Sequence, residues 1–132
     1  MKTILIIEDD PNRTAALVAR LEANGYGALI ARDAVTGAFM AIENNPALIL
    51  LDISLPDGNG LALAKKLFSL PETRNTPVVF VTANKDPQLR EVAMNLRAAG
   101  LFDKPYDPEE LLAIIRYALG DTMTKPRTDL EN

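Results

Sequence analysis

Five short aliphatic runs, each followed by a helical pattern, set what this chain can fold into. They are Thr3-Ile4-Leu5-Ile6-Ile7, Tyr26 to Ala31, Ala47-Leu48-Ile49-Leu50-Leu51, Val78-Val79-Phe80-Val81 and the shorter Leu101-Phe102-Asp103. Most are apolar at consecutive positions, so each strand needs cover on both faces, as in a parallel sheet between two helical layers. Thr14, Leu17, Val18 and Leu21 keep helical spacing within a helix predicted over Asn12 to Asn24. Asp10 before Pro11 fits its N-cap, and Gly25 its left-handed stop. Val35, Ala38, Phe39 and Ile42 mark a second helix, and Leu61, Ala64 and Leu67 a third. Pro87 to Ala99 reads as a fourth helix, and Asp107 to Leu119, with Leu111, Leu112, Ile114 and Ile115, as a fifth. Five β–α units imply an α/β fold with a doubly wound five-stranded parallel sheet.

Composition narrows the chemistry. The 132 residues include no Cys, His or Trp. Thiolate metal sites, disulfides, thiol nucleophiles and imidazole bases are therefore excluded. What remains is carboxylates, hydroxyls, Lys, Arg, backbone amides and hard metal ions. A net charge of -4 lacks the basic footprint of a polyanion-binding domain, so no direct nucleic-acid contact is expected. The apolar runs fall far short of the ~20 residues that span a bilayer, and no signal-peptide core follows Met1-Lys2-Thr3. The expectation is a cytoplasmic protein without a membrane partner. Residues 1–120 are predicted to form one domain, and 121–132, which lack apolar periodicity, a disordered tail or truncated linker.

In an open parallel sheet, ligands bind beyond the carboxyl ends of the strands. Here the first run ends in Glu8-Asp9-Asp10, the third in Asp52 and the fourth in Thr82, while the fifth leads into Lys104-Pro105. Taken singly these are ordinary: Asp10 an N-cap, Asp52 a turn initiator, Lys104 a surface lysine. Taken together they place carboxylates, a hydroxyl and an ammonium at one rim. Two carboxylates ~4 Å apart repel by ~4 kcal/mol at an effective dielectric of ~20. A hard divalent cation resolves that conflict, and oxygen-only ligands favour Mg²⁺, with Mn²⁺ as the alternative ion. A lysine opposite the metal leaves one carboxylate flanked by positive charge and able to attack a phosphoryl group, giving an aspartyl phosphate.

The pattern resembles the receiver domain of two-component response regulators. The resemblance rests on Ile4 to Asp10, on Leu50 to Gly60 with Asp52 near its start, on Val81-Thr82-Ala83 and on Lys104-Pro105, in this order and spacing. It implies the flavodoxin-like strand order 2-1-3-4-5. It also implies that Asp52 is the phosphoacceptor and that Glu8, Asp9, Asp52 and the Ser54 carbonyl hold Mg²⁺. Thr82 and Lys104 would contact the phosphoryl oxygens, Ser54 and Ala83 would line the same pocket, and the Lys104-Pro105 bond would be cis. Ser54 and Asn84 take positions that tune hydrolysis of the acyl phosphate. The implied partners are a histidine kinase or histidine phosphotransfer protein, with a homodimer through the fourth helix, fifth strand and fifth helix. Such a domain catalyses only its own phosphorylation and dephosphorylation. Leu101 departs from the family, which carries Tyr or Phe there as a switch. By strand alternation the neighbouring Phe102 faces the other way. Arg97 stands where Gly is common.

Two other readings share these residues. An aspartyl-nucleophile phosphatase needs a second acid two residues after Asp52, where the chain has Ser54. A pseudo-receiver that never carries phosphate has no use for intact acids, Thr82 and Lys104.

Overall fold

The computed structural model describes residues 1–56 and 60–127, and in it strands and helices alternate from end to end. The order is β1 (Thr3–Ile7), α1 (Pro11–Ala23), β2 (Gly27–Ala31), α2 (Ala34–Asn44) and β3 (Leu48–Asp52), then α3 (Gly60–Ser69), β4 (Val78–Thr82), α4 (Pro87–Asn95), β5 (Gly100–Asp103) and α5 (Pro108–Ala118). All strand pairs are parallel, and the sheet runs β2-β1-β3-β4-β5, as the resemblance implied. The winding reverses between β1 and β3, so a crevice opens where those two strands end.

The continuous aliphatic runs follow from the two-sided cover. Leu5, Ile7, Ile49, Leu51, Val78, Phe80 and Leu101 pack into one layer with Ala41 of α2, Leu67 of α3 and Ala93 of α4. Ile4, Ile6, Leu48, Leu50, Val79, Val81 and Phe102 pack into the other, with Leu17 and Leu21 of α1 and Leu111 and Ile115 of α5. Each fully buried Leu or Ile contributes roughly 1.5–3 kcal/mol. Leu101 and Phe102 thus lie in opposite layers, as strand alternation requires.

Four helices start on an aspartate. Asp10, Asp33, Asp86 and Asp107 accept from the backbone N–H of Asn12, Thr36, Gln88 and Glu109. At three of them proline follows, where its missing N–H costs nothing. Gly60 has a different role. A Cβ there would lie 2.5 Å from Ile53 Cα, so only glycine lets α3 begin against the loop that follows Asp52.

One boundary departs from the sequence reading by more than a residue. α4 ends at Asn95, not Ala99, because Arg97 takes a left-handed φ of 61°. Arg97 N–H bonds to Met94 O and Ala98 N–H to Ala93 O, the paired closing bonds of a Schellman turn. The expected domain boundary at residue 120 falls beside Asp121. Its carboxylate accepts from Lys2 Nζ (2.6 Å) and Tyr26 Oη (2.7 Å), which ties this point of the chain to the start of the sheet. Of the expected tail, residues 128–132 lie outside the described residues, as do Asp57, Gly58 and Asn59 of the expected turn loop.

The left-handed conformation costs a residue with a Cβ roughly 1–2 kcal/mol. Arg97→Gly is therefore expected to raise stability by about 0.5–1 kcal/mol after the loss of its contact over the Phe68 ring (6.0 Å) and the greater freedom of unfolded glycine. Arg97→Ala, still left-handed, should give no gain. Urea unfolding of the three proteins checks both.

Candidate functional site

At the C-terminal rim the sheet presents a row of polar strand ends. β1 delivers Glu8 and Asp9, and β3 ends on Asp52. β4 ends on Thr82, and the cis Lys104-Pro105 bond follows β5. Backbone hydrogen bonds from Ile53 N–H to Val81 O (3.0 Å) and from Lys104 N–H to Thr82 O (2.8 Å) extend the ladder past the strand ends and fix their relative heights.

Lys104 sits at the centre. Its Nζ lies 2.6 Å from Asp52 Oδ2 and 2.9 Å from Glu8 Oε1, and all three side chains are buried. The other Asp52 oxygen, Oδ1, accepts from Ser54 N–H at 2.8 Å and from Ser54 Oγ at 2.6 Å. Ser54 Oγ in turn accepts from Ala83 N–H at 3.2 Å. The two carboxylate oxygens therefore have distinct surroundings. Oδ2 faces the ammonium and Glu8, and Oδ1 faces a hydroxyl and a backbone donor.

Charge balance follows from this geometry. Burial pushes the Asp52 carboxyl up, but the hydrogen bonds from Lys104 and Ser54 outweigh it and hold the group below its ordinary value. Glu8 goes the other way. Burial raises it, Asp9 and Asp52 add to the rise, and the Lys104 bond offsets only part. Burial works against the Lys104 charge, yet the two carboxylates raise its pKa. The site thus holds more negative charge than one lysine neutralises.

Glu8, Asp9 and Asp52 present carboxylate oxygens within 4.8 Å of one another. An oxygen-only set with surplus negative charge fits a hard divalent ion and does not fit a soft one.

The residues named from the sequence divide into two groups. Glu8, Asp52, Ser54, Ala83 and Lys104 form one connected hydrogen-bond network, and Asp9 stands beside it within carboxylate reach. Thr82 is buried at the adjoining strand end, but its hydroxyl turns into its own loop, accepting from Asn84 N–H at 2.9 Å. Three contributions escaped the sequence reading. The Ser54 hydroxyl links Asp52 to Ala83, a bond that the sequence reading, which had Ser54 as a carbonyl ligand, a pocket-lining residue and a tuner of hydrolysis, did not contain. Arg13, from the first turn of α1, reaches within 3.8 Å of Glu8 Oε1 and 3.5 Å of Asp10 Oδ2. Tyr106, whose hydroxyl is pushed up by burial and then by Glu8, shares a small pocket with Glu8 and Arg13. A lone Arg in a first helical turn gives some signal; a lone Tyr after Lys-Pro gives none.

The chain is similar to known proteins in sequence and in fold. Residues 4–116 match the family described as response regulator receiver domain. The chain is 34% identical over 131 residues to the response regulator ArlR of Staphylococcus saprophyticus, covering 99% of this chain and 58% of that protein. It is 34% identical to the DNA-binding dual master transcriptional regulator RpaA of Synechocystis (96% and 53% covered), and 33% identical to the transcriptional regulatory protein CpxR of Klebsiella pneumoniae (90% and 50%). Among solved structures, a CheY-like receiver domain protein from Methanospirillum hungatei superposes with a TM-score of 0.85 at 30% identity, covering 92% of this chain and 95% of that one. The receiver domain of the Francisella response regulator 1452, 22% identical, shares the fold with a TM-score of 0.82 over 92% and 98% of the two chains.

One expectation is overturned. The acidic charge balance argued against nucleic acid as a partner, yet RpaA is a DNA-binding regulator, and the chain spans about half the length of the curated relatives it matches. The charge count measures the surface of this stretch alone, and a nucleic-acid contact made elsewhere in a longer protein leaves it unchanged. On the membrane, no helix among the described residues is long and apolar enough to cross one.

Removing Lys104 takes away the ammonium shared by buried Glu8 and Asp52 and leaves only the longer Arg13 contact, 3.8 Å from Glu8 Oε1. Lys104→Met is expected to cost about 3 kcal/mol near neutral pH, the order found when one partner of a buried pair is lost. Because Glu8 already has a raised pKa, it takes up a proton first as pH falls and relieves the repulsion. The deficit should therefore shrink as pH falls from neutrality through the range where carboxylates take up protons. Chemical denaturation across that range checks the sign.

Proposed function

The chain belongs to the response regulator receiver domain family, and on that premise we propose that Asp52 accepts a phosphoryl group from a histidine kinase or histidine phosphotransfer protein in the cytoplasm. The observation that carries the proposal is the split environment of the Asp52 carboxylate, with Lys104 on Oδ2 and the Ser54–Ala83 pair on Oδ1. Oδ1 is the nucleophile. It forms the new bond to phosphorus as the bond from phosphorus to the donor nitrogen breaks, with the electron pair leaving on the donor. Lys104 keeps Asp52 ionised beforehand and supplies positive charge to the phosphoryl oxygens afterwards. The Ser54 hydroxyl lies between Oδ1 and Ala83 N–H and turns aside for a phosphoryl oxygen, which Ala83 N–H then meets. Thr82, one residue from Ala83, exchanges its bond with Asn84 for another of those oxygens. Mg²⁺, with Mn²⁺ as the alternative, would be held by Asp9, Glu8, Asp52 and the Ser54 carbonyl, and would neutralise charge on the transferring group. Hydrolysis of the acyl phosphate returns Asp52 to its resting state, so the domain acts on itself and not on a pool of substrates. If this stretch is joined to an output domain, as the length of its relatives suggests, the phosphorylated state would govern that domain's contact with DNA.

Incubation with Mg²⁺ and acetyl phosphate is expected to add one phosphoryl group per chain by intact mass, and none to Asp52→Asn. Undiminished labelling of Asp52→Asn would refute the assignment. Millimolar Mg²⁺ alone is expected to raise the thermal midpoint of the wild type by favouring the folded state, and to leave that of Asp9→Asn nearly unchanged.

A further inference from the structure

α2 is an odd surface helix. Glu43 is its one charged residue, and Val35 and Phe39 remain 74% and 67% exposed on its outer side, with Ile42 beside them. These side chains, with Ala38 of α2 and Ala62 and Leu63 of α3, line an apolar groove of about 570 Å³ that contains none of the residues of the Asp52 site. Glu43 and Lys66 stand at its edge, and neither forms an ion pair with another of the described residues. Contiguous exposed apolar surface of this kind marks a contact site in a soluble protein.

We propose that the α2–α3 groove is an isologous interface that pairs with the same groove on a second copy of this chain. Two features select that occupant. A two-fold contact requires a patch that complements itself, and this one carries both a projecting ring, Phe39, and a cavity to receive it. Its edge also bears one acid and one base on different helices, so Glu43 of each copy can face the partner's Lys66. The patch is thereby neutral although the chain carries a net charge of -4, so its own charges do not oppose two copies meeting here. A segment following α5 is a poorer occupant. α5 packs on the opposite layer of the sheet and is tied down at Asp121, so such a segment would have to cross a sheet edge to reach the groove.

Sedimentation velocity of the 132-residue chain over a concentration series tests this. The wild type is expected to shift from monomer toward dimer as concentration rises, and Phe39→Glu to stay monomeric throughout. Phe39 is mostly exposed, so the variant should fold, which circular dichroism checks. The charge pair decides the matter even if it does not. Glu43→Lys and Lys66→Glu should each weaken association by roughly ten-fold, and the double reversal should restore it. A wild type that is monomeric at every concentration overturns the proposal and leaves the groove to a different partner. So does a Phe39→Glu variant that dimerises like the wild type, or a double reversal no tighter than the single ones.

Discussion

Lys104 Nζ is shared between two carboxylates, Asp52 and Glu8, that burial would otherwise set against each other. The surroundings of the rim depend on that one ammonium. With it in place Asp52 stays ionised below its ordinary pKa, while Glu8, less well compensated, is driven up. Without it, three acids would converge on a pocket only partly open to water. The site is balanced but not neutral, and that surplus of negative charge suits a divalent ion arriving from solvent through exposed Asp9.

The sheet makes this arrangement possible. Glu8, Asp52 and Lys104 are far apart in sequence, and each is rigidly placed because the residue before it ends, or nearly ends, a buried strand. Aliphatic packing on both faces fixes the height and facing of each strand, so the polar ends need no contacts of their own to find one another. The loops then make smaller adjustments. Gly60 lets α3 close against Ile53, which holds the turn carrying Ser54 near Ala83. The aspartate caps return the chain into four of the helices within a few residues of the strand ends, keeping the rim narrow.

How legible all this was depends on the kind of signal. Continuous aliphatic runs announced a buried parallel sheet, since no other common element needs apolar residues at every position over so short a length. The Asp-Pro start of α1 was readable for the same local reason. The end of α4 was not. Helical residues continue to Ala99, and the stop comes from Arg97 in a left-handed conformation, which no residue type at that point signals. Convergence of Glu8, Asp9, Asp52 and Lys104 could be argued from strand ends. The Ser54 hydroxyl bridge and the approach of Tyr106 could not, because both depend on rotamers and loop paths set by neighbours distant in sequence. The charge argument against nucleic acid failed for another reason, having been drawn from a stretch that spans only about half of its relatives.

The amino-acid order by itself determined the alternation of strands and helices, the two-layer cover and the set of oxygen and nitrogen groups available for chemistry, because these follow from hydrophobic periodicity and residue type. Only the tertiary structure decided which Asp52 oxygen meets the ammonium and which the hydroxyl, that Thr82 turns toward Asn84, and that Val35, Phe39 and Ile42 stay outside the core. Those outcomes depend on which surfaces the folded chain leaves without a neighbour, and a periodic pattern of apolar residues says that a face seeks cover without saying how much of it the same molecule provides.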